Sequence, residues 1–524
     1  MKKTNKNISV LDTTLRDGTQ SEGISLSVDD KLKLTRKLDW AGIDYIEGGW
    51  PGSNPKDISY FKKVKDEELK NSRITAFTST RRKNISPYND KVLEKVLEVN
   101  PPVCSVFGKC WDLHVEKALN TTLDENLKMI EETVDFLKQK DIEVIFDAEH
   151  FFDGYLKNPE YALKCLRAAV RGGASNLSLC ETNGGVLPAK VSEIVKAVNR
   201  EFDTPLGIHA HNDSEVAVAN TIVAVEMGCK LIQGTVNGYG ERCGNANLSS
   251  SIANLQLKMG YECLADDDIK KLTELSRYID EISNRIPDSH QPFVGHSAFA
   301  HKGGIHVSAV RRDSRTYEHI DPESVGNERR ILLSELAGSS NIKFKSKEFG
   351  IDLKKEKKKV QKLLKRIKKL EKEGYHFEGA EGSFELIMME EIGERQKFFE
   401  LEGFRVIIEN TGGELKSEAT IKVIVNGEEE HTAADGDGPV NALDNALRKA
   451  LENFYPQLRE VSLTDFKVRV INAREGTAAK VRVLIESMDK DTEWGTIGVS
   501  ENMIEASWEA LVDSISYKLL KSER

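Results

Sequence analysis

The chain has 524 residues, 39% of them hydrophobic and 31% charged, with a formal net charge of −10. That length exceeds one compact core and predicts two to four domains, in a soluble globular balance. The acidic excess excludes a general nucleic-acid binder, and no apolar run nears the ~20 residues of a bilayer span, so no membrane partner is expected.

The amino-terminal segment 8–15 is too short an apolar run, and too soon broken by Asp12, to be a signal-peptide core. The same segment reads as a first strand. Further strands are expected at 43–47, 73–77, 103–107, 143–147, 176–180, 206–210 and 231–236. Amphipathic helical patterns lie between them, among them 28–41, 123–140, 162–172, 190–200 and 215–227. Eight strands separated by helices within about 240 residues match an α/β fold of the (β/α)8, or TIM-barrel, type. A barrel occupying 1–260 is therefore the expectation.

After the barrel, 266–285 reads as a helix, 287–306 is rich in His, Gly and Pro, and a second helical pattern lies near 327–336. In the lysine-dense stretch 354–372, Val360, Leu363, Leu364 and Ile367 recur at helical spacing. That pattern describes a solvated amphipathic helix rather than a nucleic-acid arm. Residues 261–397 are read as a helical subdomain and linker. From 398 to 524 strands are expected at 404–409, 418–425, 465–471 and 480–486, with helices at 441–454 and 503–520. They describe a separate α+β domain. The seven cysteines are odd in number and form no CxxC pair, so reduced thiols and a cytoplasmic location are expected.

Chemistry concentrates in two fragments about two hundred residues apart: Leu11-Asp12-Thr13-Thr14-Leu15-Arg16-Asp17-Gly18, and His209-Ala210-His211 followed by Gly238-Tyr239-Gly240-Glu241-Arg242-Cys243-Gly244-Asn245. Residues i and i+2 of a strand share a face, so His209 and His211 can hold one ion together. With Asp17, and with Asn245 as a fourth ligand or through water, they form a site for Mg²⁺, Mn²⁺ or Zn²⁺. Asp17 follows strand one, the His pair ends strand seven and Asn245 follows strand eight. Closing the sheet makes those strands neighbours and places all four residues at carboxyl-terminal strand ends, where barrel enzymes work. Arg16, beside the ligand Asp17, carries a planar fork suited to an oxyanion. Glu47 and Asp147 are rim candidates for substrate binding. Asn212 and Asp213 are read as support for the His pair, and Cys243 is as compatible with packing as with chemistry.

These motifs resemble the 2-isopropylmalate synthase and homocitrate synthase family of metal-dependent barrels. The likeness continues through Phe299-Ala300-His301-Lys302-Gly303-Gly304-Ile305-His306, Tyr317-Glu318-His319-Ile320-Asp321-Pro322 and Asp435-Gly436-Asp437-Gly438-Pro439-Val440-Asn441-Ala442, so it spans nearly the whole chain. Within the family, Ile46-Glu47-Gly48-Gly49-Trp50-Pro51 and Phe146-Asp147-Ala148-Glu149-His150 resemble the branch that makes (R)-citramalate. The resemblance implies a Claisen-type condensation of acetyl-CoA, the co-substrate, with pyruvate and water. It implies catalytic roles for Arg16, Glu149, His306 and Tyr317, substrate contact by Arg16 at an oxyanion or the developing enolate of acetyl-CoA, and a Thr182 hydroxyl that binds the oxo-acid carboxylate. It also implies a homodimer and a leucine-sensor-like carboxyl-terminal domain, here with isoleucine as effector in isoleucine biosynthesis. The loop 433–439 leads into a helix whose N-terminus suits that effector's carboxylate. No phosphate-cradling motif marks a CoA-binding residue. A 2-isopropylmalate or homocitrate synthase would use the same site for a larger 2-oxo acid. An aldolase or thioester lyase would share the barrel and the metal but normally lacks the last domain, and a pure sensor has no use for the intact set of reactive residues.

Overall fold

The computed structural model describes residues 6–332, 356–377, 379–471 and 479–523, together with 342, 346, 349 and 351. Two compact units result: Met1–Phe299 with His319–Arg329, and Ala300–Glu318 with Arg330–Arg524.

In the first unit eight parallel strands close into a barrel. They are β1 (Ser9–Asp12), β2 (Tyr45–Gly49), β3 (Arg73–Ser79), β4 (Val103–Lys109), β5 (Glu143–Glu149), β6 (Asn176–Glu181), β7 (Leu206–Ala210) and β8 (Leu231–Gly234). Closure is made by β1, which pairs Leu11 with Tyr45 on one side and Asp12 with Gly234 on the other. The intervening helices start where local chemistry favours a start. Ser27 and Asp30 form a reciprocal capping box on Val28–Trp40, and Thr122 caps Leu123–Lys138. At Pro159–Gly172 the Asn158 cap is followed by a proline at the first helical position, where no N–H is missed. The apolar faces of these helices and the outer faces of the strands share one core, with Leu34, Ile46, Phe146 and Ile208 essentially inaccessible.

The first strand ends earlier than its apolar run suggested. Beyond Asp12 the chain curls, with the Arg16 and Asp17 N–H groups donating to the Thr13 carbonyl at 3.1 and 2.8 Å. Asp12 fixes this curl by accepting from the Thr14 N–H at 3.0 Å and the Thr14 hydroxyl at 2.7 Å, and that hydroxyl accepts from the Val236 N–H at 3.0 Å. Burial pushes the Asp12 carboxyl from 3.8 up to about 7. The folded state thus keeps a proton that the unfolded chain releases near 4. The sign follows: this contribution to stability is complete below about 4 and is lost as the pH rises through about 7. Asp12→Asn, which cannot ionise, is expected to lift the melting temperature progressively above that of the parent between pH 5 and 8. Thermal melts at each pH test it, and a difference that stays constant with pH would refute the assignment.

The second unit begins with the two-stranded pair β9 (Ala300–His301) and β10 (Arg330–Ile331) and the short helix Gly304–Val310. The helical pattern near 327–336 is not realised in its described part, since 330–331 are extended. There the Leu332 N–H donates to the His301 carbonyl at 2.9 Å, a strand contact that outweighs the local pattern. Residues 333–336 lie outside the described residues. The lysine-dense stretch is a helix, Lys357–Glu373, whose Val360, Leu363 and Ile367 are buried in the second core.

Next come two three-stranded antiparallel sheets, β11 (Glu400–Thr411), β12 (Glu414–Val425) and β13 (Glu428–Gly436), then β14 (Ser462–Val470), β15 (Val481–Met488) and β16 (Glu493–Ser500). Helix Pro439–Leu451 packs on the first sheet and Met503–Ser522 on the second. Neither β13 nor β16 was visible as a strand in the sequence. β13 carries Glu428, Glu429, Glu430 and His431 on a mostly exposed strand, and β16 contains two glycines.

Candidate active site

At the carboxyl-terminal ends of the barrel strands, Arg16, Asp17, Trp50, Phe77, Phe107, Asp147, Glu149, Cys180, Thr182, His209, His211, Glu241 and Arg242 are among the residues lining a cavity of about 220 Å³. Asp17, His209 and His211 each offer a ligand atom, and these atoms lie within 4.8 Å of one another. Asp17 Oδ2 is 3.2 Å from His209 Nε2, yet the contact lacks hydrogen-bond alignment, and Oδ2 has no hydrogen-bond partner. His211 Nδ1 and Asn245 Oδ1 are likewise buried without one. Asn245 is bridged to His211 backbone to backbone, and its amide nitrogen donates to the Tyr239 carbonyl at 3.1 Å. Buried acceptors left unpaired are costly, and a carboxylate, two imidazoles and an amide oxygen are the donors a divalent cation takes. The donor set fits such an ion.

For Asp17 and His211 the electrostatics agree with that reading. The Asp17 carboxyl loses solvation, but Arg16 and then His209 hold it well below the ordinary carboxylate range. Burial, seconded by His209, pushes His211 down to about 3 and keeps it neutral, as a ligand must be. For His209 burial acts downward and Asp17 reverses it, so the ring sits above its usual value.

The loop that carries Asn245 depends on glycine. Gly240 and Gly244 have φ of +156° and +85°, and a Cβ on Gly244 would stand 2.0 Å from the Gly238 carbonyl oxygen. Arg242 in the same loop binds both oxygens of Asp213, at 2.8 and 2.9 Å, and donates to the Thr182 carbonyl at 2.8 Å. Asp213 therefore ties the loops after β7 and β8 together. Asn212 accepts from the Ala217 N–H at 3.2 Å and steadies the helix that follows. Cys243 is exposed, whereas the other six cysteines are buried.

Arg16 is held on three sides. Its Nε donates to Glu47 at 2.6 Å, Nη1 meets Asp17 at 3.0 Å, and the guanidinium lies 3.9 Å from the centre of the Phe77 ring. Glu47, expected at the rim, is fully buried instead, because its partner is this guanidinium and not solvent. Asp147 is buried too, and burial with the neighbouring Glu47 charge pushes it up to about 7. Thr182 Oγ1 accepts the His150 N–H at 2.9 Å, so its own hydrogen is left to donate. Glu149 meets the Lys109 ammonium at 2.6 Å. His306 and Tyr317 belong to the second unit, both exposed, with their rings stacked at 4.1 Å.

Two features, one lining the cavity and one buried behind it, escaped the sequence. Trp50 stands edge-on to Phe77 and Phe107, which stack at 5.0 Å and form an aromatic wall. Gln233, a lone polar residue in the short strand β8, is wholly buried and faces His209. Alternation placed each of these residues in a strand or just after one but could not tell the inner face of the barrel from the outer.

Residues 7–279 match the HMGL-like family, 293–375 the homocitrate synthase post-HMGL domain-like family, and 378–519 the LeuA allosteric (dimerisation) domain. The chain is 55% identical over 518 residues to an (R)-citramalate synthase of Geobacter sulfurreducens, covering 98% of both chains. It is 56% identical over 517 residues to one of Aquifex aeolicus, again over 98% of each. A probable 2-isopropylmalate synthase of Methanopyrus kandleri is 31% identical over 97% of this chain and 98% of its own.

Proposed function

Because the chain belongs to the (R)-citramalate synthase family, we propose that it converts pyruvate, acetyl-CoA and water to (R)-citramalate and CoA. The observation that carries this reading is the convergence of Asp17, His209 and His211 beside Arg16 and Thr182 in one small cavity. Asp17, His209, His211 and Asn245 would hold Mg²⁺, Mn²⁺ or Zn²⁺, and such an ion would supply Lewis-acid polarisation of the substrate ketone. The Thr182 hydroxyl donates to the oxo-acid carboxylate. Arg16, locked by Glu47 and Phe77, offers its remaining N–H groups to oxygen that becomes negative as the new bond forms. Asp147 takes part in holding the substrate from the cavity wall.

His306 is the proposed base for the acetyl methyl group, and Tyr317, stacked on it, polarises the thioester carbonyl. The methyl carbon, having lost its proton to His306, attacks the ketone carbon. Water oriented by Glu149 then cleaves the C–S bond, and CoA leaves as the thiol. Thiol release measured with pyruvate, 2-oxoisovalerate and 2-oxoglutarate tests the whole assignment. A higher kcat/KM for 2-oxoisovalerate than for pyruvate would end it in favour of an isopropylmalate synthase.

The choice of pyruvate is testable at the aromatic wall, since Trp50, Phe77 and Phe107 line the small cavity that would receive the oxo-acid side chain. One or two methyl groups are worth about 1–3 kcal/mol of discrimination. Phe107→Ala is thus expected to shift the kcat/KM ratio of 2-oxoisovalerate to pyruvate by about 10- to 100-fold towards the larger acid. An unchanged ratio would remove Phe107 from the specificity wall.

The carboxyl-terminal domain is proposed to make a homodimer and to sense isoleucine, the end product of the pathway that citramalate feeds, in the cytoplasm. Among the described residues no helix is long and apolar enough to cross a membrane. Helix Pro439–Leu451 starts just after β13, and its Gly438 cap offers no side-chain hydrogen bond, so its N-terminus suits an amino-acid carboxylate. Millimolar isoleucine is expected to inhibit the full-length enzyme through a coupling of about 1–3 kcal/mol and to leave a truncation ending near Glu400 uninhibited. Equal inhibition of both proteins, or of neither, would refute the regulatory assignment.

A further inference from the structure

Three buried side chains from three barrel strands form a chain of hydrogen bonds that ends on a metal-ligand candidate. Asp147 lies on β5, Gln233 on β8 and His209 on β7. Gln233 is in register with His209 across the β7–β8 pair and with Leu11 across the β1–β8 pair. Its amide nitrogen donates to Asp147 Oδ1 at 2.8 Å, and its amide oxygen lies 2.9 Å from His209 Nδ1. All three residues are buried, and Gln233 is wholly so.

An amide has one donor end and one acceptor end. Asp147 engages the donor end, and the acceptor end faces the imidazole. Opposite an acceptor, Nδ1 must carry the hydrogen. The lone pair is then left on Nε2, the atom that faces Asp17. Were the amide turned round, its NH₂ would favour a hydrogen on Nε2, and that nitrogen could not bind a cation. We propose that Gln233 is a positioning residue that fixes His209 in the metal-binding tautomer, and that Asp147 sets the orientation of Gln233. This inference rests on the proposed metal site. Its expected strength is that of other hydrogen-bond partners of metal-ligating histidines, about 10- to 100-fold in affinity.

The test uses the full-length protein, stripped of metal, with Mn²⁺ alone as the probe, titrated calorimetrically and checked by a thermal melt of each metal-free variant. Gln233→Met keeps length and volume but cannot accept from Nδ1. Asp147→Leu leaves Gln233 in place and removes the acceptor that orients it, replacing a costly buried carboxyl by an apolar group of similar size. Both are expected to melt cooperatively and to bind Mn²⁺ about 10- to 100-fold more weakly than the parent. Parent-like Mn²⁺ affinity in Gln233→Met overturns the role of Gln233, and parent-like affinity in Asp147→Leu overturns the orienting role of Asp147. Should Gln233→Met fail to fold, Gln233→Leu, which likewise cannot accept from Nδ1, takes its place in the same titration. His209→Ala separates this inference from the reading beneath it. Mn²⁺ bound by His209→Ala as by the parent removes the metal site itself. Loss of Mn²⁺ in His209→Ala, with parent affinity in the other two variants, removes only the positioning role.

Discussion

Exhaustive chelation is expected to abolish CoA release from acetyl-CoA and pyruvate, and added Mg²⁺ or Mn²⁺ to restore it. The reason lies in the donor set. Asp17 Oδ2, His211 Nδ1 and Asn245 Oδ1 are buried with no hydrogen-bond partner, an arrangement that costs stability unless something else occupies those lone pairs. Asp17→Asn removes the only carboxylate of the cluster, and His209→Ala opens the side that faces Asp17. Each variant is expected to keep the barrel, because these residues sit at strand ends and not in the apolar core, and to lose at least about 10³-fold in kcat/KM, the several kcal/mol that carbonyl polarisation supplies. Steady-state thiol release with a parallel Mn²⁺ titration measures it. A folded Asp17→Asn protein with parent turnover would refute the metal-centred reading.

Much of the barrel was legible because its signals are local and repeated. Short β-prone runs alternate with amphipathic helices, whose starts at Ser27, Thr122 and Asn158 the structure then shows to be capped. Asp17, His209 and His211 could be read together because strands one, seven and eight become neighbours once a parallel sheet closes. Glu47 shows where such reading stops. Its position at a strand end was plain, but its partner Arg16 lies 31 positions away, and only the closed fold makes that glutamate a buried anchor. Gln233 is the same case at greater depth. A single glutamine among apolar residues looks like a strand irregularity until Asp147, 86 positions earlier, is seen to take its amide.

In the second unit the local signals compete. Residues 327–336 have helical spacing, yet Arg330 pairs with Ala300 in a parallel bridge that no short-range pattern encodes. β13 hides for a different reason: a strand whose outer face is acidic and whose inner face offers Thr432 and Ala434 shows little of the apolar alternation that marks a half-buried strand. Its partner β12 supplies most of the burial, with Ala419, Ile421, Val423 and Val425 wholly inaccessible. Helix Lys357–Glu373 was legible because its apolar stripe has a clean helical period under the lysines.

Arg16→Lys is expected to lose about 10²- to 10³-fold in kcat with little change in the melting temperature. Charge alone does not explain the native arrangement. The guanidinium uses Nε on Glu47 and Nη1 on Asp17 while its plane lies against Phe77, and an ammonium has neither the plane nor the fork to do all three. Flanking carboxylates hold Arg16 firmly charged despite its burial, so the variant lysine would also be protonated and the comparison isolates geometry. A lysine paired with Glu47 leaves no second N–H fixed towards the oxygen that becomes anionic. The lost interaction belongs to the transition state, so kcat and kcat/KM should fall together while KM for pyruvate stays within a few-fold. A KM that rises alone would make Arg16 a binder of ground-state carboxylate. Parent kcat in a folded Arg16→Lys protein would remove it from the chemistry altogether.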